Sequence, residues 1–104
     1  MILTNTESIP GFKIKEIIGL VQGNSIRAVH LGKDILAGLR NIVGGELIEY
    51  EEMMDQTRKK ALQKMIKEAE SLGADAIINV RFSSSVVTTR AAEIIAYGTA
   101  VKIE

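Results

Sequence analysis

The sequence predicts an α+β domain: an antiparallel sheet packed on one long amphipathic helix, with a second, short helix beside it. Three observations carry the prediction. Helical periodicity runs without a break from about Glu46 to Leu72. Strand-type alternation runs from Phe12 to Gln22, and residues 74 to 103 read as a hairpin rich in Ile, Val and Ala. At 104 residues this is a single domain, 1–104.

Ile2 to Thr4 reads as a short edge strand, closed off by the turn signal Ser8-Ile9-Pro10-Gly11. In the strand that follows, Phe12, Ile14, Ile18 and Leu20 share one face and Lys13, Lys15, Ile17 and Val21 the other. Glu16 falls on the more apolar of the two. Gly23-Asn24 is expected to end this strand, and Ser25 to His30 fit no single pattern. Ile35, Leu36, Leu39, Ile42 and Val43 then recur at helical spacing. Asp34 stands where a carboxylate suits the helix dipole, and Gly44-Gly45 is the expected stop, a turn between helices.

The long helix is the strongest element. Leu47, Tyr50, Met54, Ala61, Leu62, Met65, Ala69 and Leu72 form its apolar stripe, and Glu49, Glu52, Gln56, Lys59, Lys60, Gln63 and Lys67 its wet face. Acids gather in its first part and bases in its second, the order that complements the macrodipole. Asp55 and Lys59 form a favourable i, i+4 pair, and Gly73 suits the C′ position. Two strands follow, Ala74 to Val87 and Thr89 to Ile103, with the hairpin tip somewhere in the hydroxyl-rich stretch from Ser83 to Arg90. Ile77-Ile78 and Ile94-Ile95 are adjacent pairs, and a strand sends neighbours to opposite faces, so both faces of this hairpin are apolar. One long helix covers one face, and the short helix is too small for the other. Several copies burying the remainder together, with cyclic symmetry, is the economical expectation. The alternative is a monomer whose N-terminal strand and loops fold back over that face.

Composition narrows the function classes. Thirteen Lys and Arg balance thirteen Asp and Glu, which argues against nucleic-acid and anionic-membrane partners. No cysteine is present, so disulfides, thiolate metal sites and cysteine nucleophiles are excluded. No apolar run approaches the roughly 20 residues of a membrane span, and Met1 to Glu7 does not read as a signal peptide, so a cytoplasmic location is expected.

Few residues suggest chemistry. Glu49 and Glu52, at i and i+3 in an acidic cluster, share a helix face and are the candidate ligands for a hard cation; the same acids equally stabilise a helix N-terminus. His30 is the single histidine and sits in no recognised catalytic spacing. Gly44-Gly45 before a helix matches no phosphate-binding pattern, and five acids follow it. Glu16 in an apolar strand face needs a partner, with Arg81 and Arg90 available, or its pKa rises. If a pocket exists, Glu16, Arg81 and Tyr97 are the polar residues expected near it.

Across nearly its whole length the sequence resembles the YbjQ-type family of small bacterial and archaeal proteins of unknown function. The resemblance rests on Gly19-Leu20-Val21-Gln22-Gly23, on the run from Asp34 to Gly45, on Tyr50-Glu51, on Leu72-Gly73-Ala74-Asp75-Ala76 and on Tyr97-Gly98-Thr99-Ala100-Val101. It implies a dodecin-like subunit assembled into a ring, typically a pentamer, and carries a heavy-metal-binding label but no catalytic residues. Arg40, inside the longest motif, is the candidate for an intersubunit ion pair and for ligand contact. Gly98 is a position where a backbone or a neighbouring subunit could approach closely. The expected function is that of a non-catalytic homo-oligomer, most simply a pentamer, that binds an ion or small ligand or serves as a scaffold. No cofactor is specified. The alternative is an enzyme with a small site between subunits, using Glu16 or a helix acid as base.

Overall fold

A computed structural model describes residues 1–28, 42–43, 46–88 and 91–104, with the side chains of 28, 42–50 and 86–88 left aside. The elements run β1 (Ile2–Leu3), β2 (Ile14–Ala28), β3 (Ile42–Val43), β4 (Glu46–Leu47), α1 (Ile48–Ser71), β5 (Ala76–Thr88) and β6 (Ala91–Ile103). Four strands form one sheet in the order β1-β5-β6-β2, against which α1 packs, so the α+β class holds. The sheet is mixed rather than antiparallel: β1 pairs with β5 in parallel, while β5–β6 and β6–β2 are antiparallel.

The predicted short helix lies outside the described residues except for its last two. Ile42 and Val43 are strand, pairing with Glu46 and Leu47. Two β-branched residues followed by Gly-Gly suit a hairpin as well as a helix end. The long helix accordingly starts at Ile48, two residues later than its periodicity suggested. It ends in a Schellman motif: the Gly73 N–H donates to Glu70 O (3.0 Å), the Ala74 N–H donates to Ala69 O (3.0 Å), and Gly73 has φ 77°.

α1 lies over β2 and β6 and presents Thr57, Ala61, Met65 and Ala69, one residue per turn, as its buried line. Ala61, Met65 and Ala69 meet Val21, Ile77, Ile94, Ala96 and Ala100. Two of these partners are alanines, and the helix sits close. A Cβ on Gly23 would run into the Ala61 carbonyl, the Met65 amide and the Lys64 Cβ. Gly23 therefore does not end the strand; it is where the helix crosses it, and β2 continues to Ala28.

Three of the sheet's four register shifts, all but the one between Val86 and Thr88, set which side chains face the helix. Register shifts fall between Ile14 and Glu16 and between Ile17 and Gly19 on β2, and between Ile78 and Arg81 on β5, where Asn79 takes φ 53°. Each inserts a residue and swaps the faces beyond it. Hence Ile18 and Val21, of opposite parity, both join the helix-side core, while Ile14, Ile17 and Leu20 share the back face. Gly98 lies opposite the β5 bulge, where an added Cβ would stand 2.7 Å from Ile77 Cγ2, so the close approach there is within the subunit.

On the back face Ala76, Ile78 and Val101 form a second small cluster, covered by Ile9 and Ile103. The N-terminal segment thus folds over one corner of that face. No other described element covers the rest.

Candidate functional site

The register of the three long strands places Gln22, Tyr97 and Arg81 side by side on one rung of the back face. Arg81 and Tyr97, two of the sequence-predicted site residues, are therefore neighbours. The Arg81 guanidinium donates through Nη1 to Asn5 O (2.7 Å) and to Val80 O (3.1 Å), which ties the N-terminal segment to β5. One rung further, the Asn24 amide donates to the Glu93 carboxylate (3.3 Å).

Glu16 does not join them. It stands near the start of β2, opposite Lys102, and the bulge after Ile14 turns it away from the back face. It is solvent-exposed, so the argument for a buried carboxylate needing Arg81 does not apply. Arg40, His30 and Arg90 lie outside the described residues, as does the Glu49 side chain; Glu52 is exposed on α1. Among the described residues no three His, Cys, Asp or Glu side chains gather where they could share a metal ion. Asp55 instead pairs with Arg58 (3.2 Å) and, as the spacing predicted, with Lys59 (3.1 Å), both exposed.

Flanking the polar rung are apolar side chains facing solvent. Ile17 is 69% exposed, Leu20 68% and Ile26 56%, and register puts all three on the back face with Tyr97 and Ile95. Alternation from Phe12 to Gln22 assigned Ile17 and Leu20 to opposite faces and left Ile26 out. The signal that could have united the first two is the three-residue spacing Ile14, Ile17, Leu20, which a strand achieves only with bulges.

β2 is also an edge strand, and α1 partly covers its rim. The Gln22 N–H donates to Glu68 Oε2 (3.1 Å), and Lys64 Nζ donates to Asn24 O (2.8 Å). Two side chains one helical turn apart thus hold the outward main-chain groups on either side of Gly23. Among the described residues, no helix is long and apolar enough to cross a membrane.

The comparisons with known proteins agree with one another. A YbjQ family model described as "Putative heavy-metal-binding" matches residues 1–104. A UPF0145 protein of Dehalococcoides mccartyi is 60% identical over 104 residues, covering all of both chains. One from the archaeon Archaeoglobus fulgidus is 57% identical over 103 residues, 99% of this chain and 95% of that one. A crystal structure from Pediococcus pentosaceus, described as a protein of unknown function of the DUF74 family, superposes with TM-score 0.72 at 25% identity. That match covers 100% of this chain and 98% of the other.

Proposed function

Because the chain belongs to the YbjQ (UPF0145) family, we propose on that footing that it works as a non-catalytic homo-oligomeric ring, most simply a pentamer, that carries an ion or small ligand or acts as a scaffold. The observation that supports this is the back face of the sheet. Ile17, Leu20 and Ile26, with Tyr97 between them, leave an apolar surface in water that a monomer has no use for. The shape argues the same way. The folded chain measures 51 × 26 × 17 Å with a radius of gyration of 17.0 Å, against about 13 Å for a compact domain of this size. An elongated subunit with a bare apolar face gains stability by burying that face against copies of itself.

The family's metal label fits the residues described here poorly. Heavy metals of soft character favour thiolates, thioethers or several imidazoles. The chain has no cysteine and one histidine, and Met65 is buried in the core under α1. A ligand held by the assembly would instead meet the hydrogen-bonding groups of the Gln22–Tyr97–Arg81 rung between two apolar zones. The test is native mass spectrometry on untagged protein purified without chelators. A multiple of the 11.3 kDa subunit mass with a stoichiometric extra mass supports ligand carriage, and an empty ring supports the scaffold. A monomer refutes the reading.

A further inference from the structure

We propose that successive copies of this chain join by main-chain pairing of the β2 edge of one copy with the β5 edge of the next, the two strands running parallel. This rests on the homo-oligomer reading above and specifies its joint.

Among the described residues both edges are half covered, and the covers stop about one rung apart, at Arg81 on β5 and at Asn24 on β2. On β5 the N-terminal segment takes outward main-chain groups as far as Val80, and the Arg81 side chain holds it there. The Thr4 N–H donates to Ile77 O, the Val80 N–H to Thr4 O and the Asn79 N–H to Thr6 O (each 3.0 Å), and Arg81 Nη1 donates to Asn5 O. From Phe82 to Thr88 no described element lies beyond β5. On β2 Glu68 and Lys64 occupy Gln22 N–H and Asn24 O, and from Ser25 to Ala28 no described element lies beyond that strand. Gln22, Tyr97 and Arg81 share a rung, so the two open stretches lie at the same end of the sheet. Edges with no described partner are candidate templates for another strand.

Strand direction then fixes the geometry. β5 and β2 are both antiparallel to β6 and hence parallel to each other. The three long strands run up, down, up. With the strands running along the ring axis, rotation about that axis preserves their direction, so the joint between one copy's β2 and the next copy's β5 is parallel. A two-fold dimer would pair β2 with β2 antiparallel. The β5 edge already accepts a parallel strand, since β1 pairs with it at Ile2–Ala76 and Leu3–Ile77. A neighbour's β2 would continue that line past Arg81. It would also shield Phe82, 45% exposed at the open stretch, and Ile26 on the incoming strand. Every copy's back face would then lie on the same side of one continuous sheet.

The absence of cysteine makes the test direct. Ile26→Cys is combined in turn with Ser83→Cys, Ser84→Cys and Ser85→Cys, and each protein is oxidised and run on a non-reducing gel. Ile26 and Ser85 flank Glu93 within one subunit. They are two strands, roughly 10 Å, apart, beyond the ~7 Å Cα limit for a disulfide. The result expected is a ladder in 11.3 kDa steps for at least one pair and no product for any single variant. A covalent dimer from Ile26→Cys alone would overturn the proposal in favour of two-fold pairing. No crosslink from any pair, in protein that light scattering shows to be oligomeric, would overturn the joint and leave the ring standing. A monomeric parent protein would remove both.

Discussion

Gly23 decides how close the helix can come. With hydrogen in place of a side chain, the Ala61 carbonyl and the Met65 amide sit against the β2 backbone, and the core between helix and sheet sets Ala61, Ala69, Ala96 and Ala100 among Val21, Met65, Ile77 and Ile94. Gly23→Ala pushes the two layers apart and should cost about 1–3 kcal/mol, read as a lowered urea midpoint at unchanged slope. Met65 is the largest fully buried side chain. Met65→Ala opens a cavity in a core with little freedom to collapse, and the expected loss is about 2–5 kcal/mol in the same measurement. Asp55→Asn removes two exposed ion pairs and should change stability by less than about 0.5 kcal/mol. Met65, Ala69 and Ala61 were legible as core from helical spacing alone. Gly23 was not, because a glycine in a strand signals a break and a close approach equally, and only the path of the helix distinguishes them.

At the scale of elements, α1 holds β2 in two ways: by the buried line at its centre and by Lys64 and Glu68 reaching round the rim. Replacing both with Met and Leu keeps the stems and frees Asn24 O and Gln22 N–H. The expected cost in stability is roughly 1–3 kcal/mol for the two bonds together. Hydrogen exchange at Gln22 should quicken while exchange in β6 is unchanged. The long helix, its C-terminal stop and the hairpin were readable because their signals are local: period, a terminal glycine, a polar tip between apolar runs. The faces of β2 were not. Alternation assumes a uniform pleat, and each bulge reverses it, so Glu16 moved off the apolar face and Ile17 joined Leu20. The bulges answer to pairing with β6, which is remote in sequence, and the parallel β1–β5 contact is remote in the same way. The strand at Ile42–Val43 was hidden because a two-residue strand has no period to read.

For the whole molecule, the adjacent isoleucine pairs predicted surplus apolar area on the second face of the hairpin, yet Ile78 is buried there under Ile9 and Ile103, and the exposed apolar side chains of the back face are Ile17, Leu20 and Ile26 on β2. The candidate site was legible in part: Arg81 and Tyr97 come together, while Glu16 lies apart. Neighbouring strands set that arrangement, and sequence spacing does not encode it. Leu20→Lys tests the account of the face cleanly, since an exposed side chain in the isolated subunit can be charged for within about ±0.5 kcal/mol. The most direct measurement is the solution mass by light scattering, taken side by side for the parent protein and Leu20→Lys. The account predicts a closed multiple of 11.3 kDa for the parent and a folded single subunit for the variant. A parent protein at 11.3 kDa, or a variant that assembles as the parent does, would contradict it.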